Sequence, residues 1–196
     1  FSYLPPLISG VLIEYNTCID CGEPGEGDID LKSGCLGAIV RYNTSYRVVK
    51  GGVLGGIVMQ CSNFQVYGNQ LYDLHPRSAD PSDGGTAIYI TADGDGTTGI
   101  TSANGLVYNN LAYGNWQDGI IIQSNKPSSV VTGLKILNNT LVSNGRSGIH
   151  SSGSGGHPIT IAQLFNNIIA SNTGRQVNLT SSESTLTAAN NNCYLG

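Results

Sequence analysis

The nonapeptides VYNNLAYGN at Val107, ILNNTLVSN at Ile136 and LFNNIIASN at Leu164 are near copies, and that recurrence limits the fold more than any other property of the chain. Weaker copies precede them as LIEYNTCID, IVRYNTSYR and VYGNQLYDL, and ANNNCYLG close to the end resembles a decayed seventh. Aligned on the asparagine three places after the apolar anchor, the copies place Asn16, Asn43, Asn69, Asn110, Asn139, Asn167 and Asn192 in series, at steps of 27, 26, 41, 29, 28 and 25 residues. A second series follows each asparagine: DIDLK, GIVMQ, AIYIT, GIIIQ, GIHSS and QVNLT. These are short, β-branched and alternating, as strands are.

A period in the twenties with strand patterning and no helical segment between strands predicts a solenoid, in which each coil buries its apolar face only by stacking on its neighbours. Coils would lie about 4.8 Å apart, so equivalent residues rest on one another. A buried, unmatched asparagine amide costs roughly 1–3 kcal/mol, whereas stacked amides can bond to each other and to the backbone of the bend. The asparagine series therefore reads as structural. Composition agrees: 27 glycines among 196 residues and only 11% charged side chains suit strands and turns better than helices. The net charge of -4 disfavours nucleic acid and anionic membrane surfaces, and no apolar run reaches the roughly 18 residues needed to span a bilayer.

This pattern of strand, asparagine bend, short strand and GI-x-apolar segment resembles the right-handed parallel β-helix superfamily that includes pectate lyases. The resemblance implies an all-β, single-stranded right-handed parallel β-helix of six to seven coils, covering residues 1–196 as one domain. The chain opens on FSYLPPLISG, and we expect it to be a piece of a longer protein. Loop insertions are expected at about 74–86 and 92–104. Of the five cysteines, Cys18 and Cys21 form a C-x-x-C with no second pair to support zinc, and Cys35 and Cys61 are the favoured disulfide partners.

The register assigns side chains to faces. Ile29, Ile57, Ile88, Ile120, Ile149 and Val177 form one inward column, and Leu31, Met59, Ile90, Ile122, Ser151 and Leu179 form the next. Between them Asp30, Val58, Tyr89, Ile121, His150 and Asn178 should point to solvent, flanked by Lys32, Gln60, Thr91, Gln123, Ser152 and Thr180. That outer face is the candidate binding surface. His150 is a candidate base, Tyr89 a proton donor or a sugar-stacking platform, and Asp30, Gln60, Gln123 and the loop residue Arg77 are candidate substrate contacts. Asp83 and Asp118, on adjacent coils, could share a Ca²⁺ or remain solvated turn acids. DGDG at Asp93 reads as a turn.

The segment GEPGEGDIDLKSGCLGAIVRYNT, from Gly22 to Thr44, resembles the alginate lyase and chondroitin B lyase family, in which acids, a strand, Lys-Ser and an Asn-Thr bend occur in succession. The resemblance implies Lys32 as catalytic base and Glu26 with Asp28 as Ca²⁺ ligands. The family's arginine one coil on would fall near Met59 or Gln60, where this chain has none. Lysine acts as a base only when its pKa falls well below about 10.4, and neighbouring carboxylates push it up, so without metal Lys32 suits gripping a sugar carboxylate. Two functions follow as expectations. One is a secreted or surface enzyme that cleaves an acidic polysaccharide by β-elimination, with glycoside hydrolysis as a further option. The other is a non-catalytic carbohydrate-binding or structural module, whose open coil ends would favour end-to-end self-association.

Overall fold

The computed structural model describes residues 8–21, 26–48, 54–76, 84–93, 99–153, 157–179 and 184–196. Arg77, Asp83 and Thr180 lie outside the described residues. Every strand pairs in parallel with its equivalent one coil away, and no helix occurs among the described residues. The coils carry three long sheets, and Ile8–Ser9 pairs with Cys35–Leu36 in a separate two-stranded one. Sheet 1 runs from Leu12–Glu14 through Ile39–Arg41, Gln65–Tyr67, Leu106–Tyr108, Val130–Leu137 and Ile159–Phe165 to Ser184–Leu186. The asparagine bend leads into sheet 2, which runs from Thr17–Ile19 through Thr44–Val48, Gln70–Leu74, Leu111–Tyr113, Thr140–Val142 and Ile168–Ala170 to Cys193–Leu195. Sheet 3 holds the second series: Gly27–Leu31, Gly55–Met59, Thr86–Thr91, Ile120–Ser124, Ile149–Gly153 and Val177–Leu179. The chain is an all-β, right-handed parallel β-solenoid of about six coils, as the repeat predicts.

The asparagines form one continuous ladder. Each Nδ2 donates to the Oδ1 of the next coil's asparagine, at 3.0 Å for Asn16, 3.1 Å for Asn43, 2.9 Å for Asn69, 3.0 Å for Asn110, 3.0 Å for Asn139 and 2.9 Å for Asn167. The same Oδ1 atoms accept from the backbone N–H groups of the coil before. The residue preceding each rung takes a left-handed conformation, with φ of 54–66° at Tyr15, Tyr42, Gly68, Asn109, Asn138, Asn166 and Asn191. Asparagine and glycine tolerate that region, which explains the doubled Asn-Asn of the later copies.

A second ladder follows sheet 2. Asn115 and Asn144 each donate Nδ2 at 2.9 Å to the Oδ1 of Asn144 and Asn172, and Asn172 ends the run on Gln176 Oε1 at 2.7 Å. These are the final asparagines of the three nonapeptides, which alignment on a single asparagine leaves unexplained.

The interior is filled by the expected columns. Ile57, Ile88, Ile120 and Ile149 are wholly buried, as are Met59, Ile90 and Ile122, and across from them stand Val40, Val66, Val107 and Ile136 of sheet 1. Each such side chain contributes roughly 1.5–3 kcal/mol of hydrophobic stabilisation. The stretch expected as an insertion at 92–104 is partly structured, since Thr101–Ala103 pairs with Val130–Thr132. The Leu36–Ser62 bridge sets Cys35 beside Cys61 on adjacent coils, where both are free thiols and not the expected disulfide, and burial followed by the neighbouring Cys35 thiol pushes the Cys61 pKa up. Burial, then Cys21, raises Cys18 to about 11.

Candidate functional site

The expected outward column on sheet 3 has the predicted register: Asp30 pairs with Val58, Val58 with Tyr89, Tyr89 with Ile121, Ile121 with His150 and His150 with Asn178. It is not open to solvent as expected. Val58 is 0% exposed, Ile121 6% and His150 9%, and the flanking Gln60 and Thr91 are buried too. Alternation decides which side of a sheet a residue takes, but not what stands over it. Here large neighbours about 5 Å apart cover one another, and side chains from the bend before the sheet rise beside them. What remains is a groove with a cavity of about 160 Å³, lined by Tyr89, Gln117, Gln123, Arg146, His150 and Ser152.

The second asparagine ladder positions this wall. Each coil reads Asn, two bend residues, a polar residue and then the sheet 3 strand: NWQDGI at Asn115 and NGRSGI at Asn144. Stacking sets Gln117 beside Arg146, whose N–H donates to the Gln117 carbonyl at 2.8 Å. A Cβ at Gly145 would lie 2.1 Å from the Trp116 carbonyl oxygen, so only glycine permits this stacking. Asp118 is thereby brought into the corner, wholly buried, where its carboxylate is clamped by Arg146. Arg146 Nε reaches Oδ2 at 2.9 Å and Oδ1 at 3.1 Å, and the Ser147 N–H donates to Oδ1 at 3.0 Å. His150 Nδ1 lies 3.5 Å from Asp118 Oδ2, close enough for charge to be felt but long for a hydrogen bond. Arg146 escaped the sequence reading because its coil equivalents are Gln117 and Gly174, so nothing repeats there. Burial raises the Tyr89 pKa, with Asp93 adding to the shift, so the phenol stays protonated.

The Lys32 cluster stands at the other end of the column. Lys32 pairs with Glu26 and, at 2.9 Å, with Asp30. Burial alone would lower the lysine pKa, but the hydrogen bonds and attraction of both acids outweigh it and the ammonium is held above its usual value. Asp30 is raised by burial and then by Glu26, while Glu26 is lowered through hydrogen bonds from Asp30 and then Lys32. Asp28 turns inward and accepts a hydrogen bond from Ser45, and burial raises its pKa. One oxygen each of Asp28, Asp30 and Gln60 is buried without a donor. Four strand steps, about 19 Å, separate Asp30 from His150.

These residues do not fit the expected Ca²⁺ sites. Among the described residues no three of His, Cys, Asp and Glu converge into a metal-holding group. Glu26 faces Lys32, Asp28 faces Ser45, and both oxygens of Asp118 are taken by Arg146 and Ser147, while its expected partner Asp83 lies outside the described residues. Asp93 accepts the Asn125 N–H at 3.0 Å through Oδ1, as a turn residue does.

The family model for a right-handed β-helix region matches residues 54–193. The chain belongs to the right-handed β-helix family. Among solved structures, the A-module of mannuronan C-5 epimerase AlgE6 from Azotobacter vinelandii is similar, at 15% identity and a TM-score of 0.40, over 95% of this chain and 58% of that one. This β-helix thus spans less than two thirds of that structure. No curated protein matches the sequence. Among the described residues, no helix of this β-helix is long and apolar enough to cross a membrane.

Proposed function

We propose that this β-helix is a secreted protein that cleaves an acidic polysaccharide by β-elimination in the sheet 3 groove. The observation that carries the reading is the convergence of His150, Tyr89, Arg146 and Gln123 on one cavity. Arg146, about 39% exposed in its side chain, turns part of its guanidinium to the groove and is suited to draw in a uronate carboxylate. His150 takes the proton from C5, with Asp118 behind it to steady the imidazolium that forms. The electron pair of the broken C5–H bond forms the C4=C5 double bond, the C4–O bond breaks, and the Tyr89 phenol returns a proton to the leaving oxygen. Gln60 and Gln123 flank the path as hydroxyl contacts. Lys32, held protonated by two acids, serves in this reading as a remote grip for a distant carboxylate and not as the base.

The test is incubation with alginate, pectate and chondroitin sulfate, with and without added Ca²⁺, following the ultraviolet absorbance of new unsaturated ends. Activity on one of them should fall at least about 100-fold in His150→Ala and in Tyr89→Phe, within the range typical of removing a general acid or base. Absence of new absorbance on all three polymers, with binding retained, would favour a carbohydrate-binding module instead.

A further inference from the structure

Sheet 1 has an outer face of its own, on another side of the coil from the groove. At the bend entering it, Asn63 and Asn104 stand one coil apart, both left-handed at φ of 54° and 55°. Asn104 Nδ2 donates to Asn63 Oδ1 at 3.2 Å, a third amide pair, but an exposed one. Between them the Phe64 ring presses against the backbone of Gly105, where a Cβ would lie 2.2 Å from the ring. Beside this contact lies a hollow of about 340 Å³, which Asn63, Gln65, Asn104, Leu106, Gly133 and Lys135 line. Gln65, Leu106 and Lys135 are consecutive positions of one outward column, and Tyr108 reaches Gln65 Oε1 at 3.5 Å.

The lining chemistry is specific in kind. Two exposed asparagine amides and one glutamine amide offer both donors and acceptors, the mixture that sugar hydroxyls present in turn. Leu106 supplies an apolar wall for a ring's C–H face. Lys135 is exposed, and no carboxylate lines the hollow among the described residues, so its ammonium is the one charge there. In a chain of net charge -4, that local positive point favours an anionic ligand over a neutral one. The volume lies at the low end for ligand pockets and suits a single sugar ring.

We propose that this hollow binds one acidic sugar residue, with its carboxylate on Lys135 and its hydroxyls on Asn63, Asn104 and Gln65. The site is separate from the sheet 3 groove and stands whether or not that groove is catalytic. It would hold a polymer on a second side of the coil.

The test is a titration of the ¹⁵N-labelled chain with sodium glucuronate, and in parallel with glucose, following the side-chain amide signals of Asn63 and Asn104. Glucuronate should move both signals saturably with a Kd on the order of 1 mM. Lys135→Gln, a substitution of an exposed side chain that keeps the dispersed spectrum, should weaken this at least tenfold and bring glucuronate down to the level of glucose. Movement confined to Tyr89 and His150, no saturable movement at all, or equal binding of both sugars by the parent and Lys135→Gln would each overturn the proposal.

Discussion

At one end of the sheet 3 outer column a lysine lies between two acids, and at the other an arginine clamps a single acid. Lys32 is about 55% exposed and shares its charge with Glu26 and Asp30, whereas Asp118 is wholly buried under Arg146. Solvent reaches Lys32 and Glu26 and screens their pair, which contributes little, while Asp30 lies deeper and leans on the same ammonium. The second has no water to fall back on, so its partner is required. Two ion clusters on one sheet can thus differ in energetic weight with their depth, and a groove forms where depth and charge coincide.

The contrast is sharpest under substitution. Arg146→Ala would leave the Asp118 carboxylate buried with only the Ser147 N–H and His150 beside it, and should cost about 3 kcal/mol in urea unfolding. Adding Asp118→Asn to that variant removes the uncompensated charge and should recover more than half of the loss. Equal costs for Arg146→Ala and Lys32→Ala would break the distinction.

The proximal end carries its own signature in pH. Burial raises the Asp28 pKa, so the folded state favours the neutral carboxyl over the unfolded chain, whose aspartates titrate near 3.9. The stability from this group is therefore complete below about pH 3.9 and is lost as pH rises through the higher folded value. Asp28→Asn keeps an acceptor for Ser45 and should be more stable than the parent at pH 7 by on the order of 1 kcal/mol. Thermal melts from pH 7 downward should show that gap closing. The smallest effect is expected for Lys32→Ala, within about 1 kcal/mol and shrinking further in high salt.

The sequence disclosed those parts of the molecule that recur. The first ladder and both inward columns of sheet 3 were legible because stacking at a fixed spacing demands the same kind of side chain on every coil. The second ladder was present in the same nonapeptides, at Asn115, Asn144 and Asn172, but an alignment anchored on one asparagine assigns no purpose to the other. The pairing of Lys32 with Asp30 could be read from their i, i+2 spacing on one strand. Arg146 could not be found this way, because a residue that meets a buried acid on only one coil leaves no periodic trace. The covering of Val58, Ile121 and His150 was hidden for a related reason, since it comes from the bulk of neighbouring side chains and not from their order.

The amide column at the bends also has a sense of direction. Every Nδ2 from Asn16 to Asn167 donates towards the higher-numbered coil, so the dipoles add instead of cancelling. Any asparagine rung that joins this column therefore continues it in the same polarity, and the ladder has a sense along the coil axis just as a single strand does.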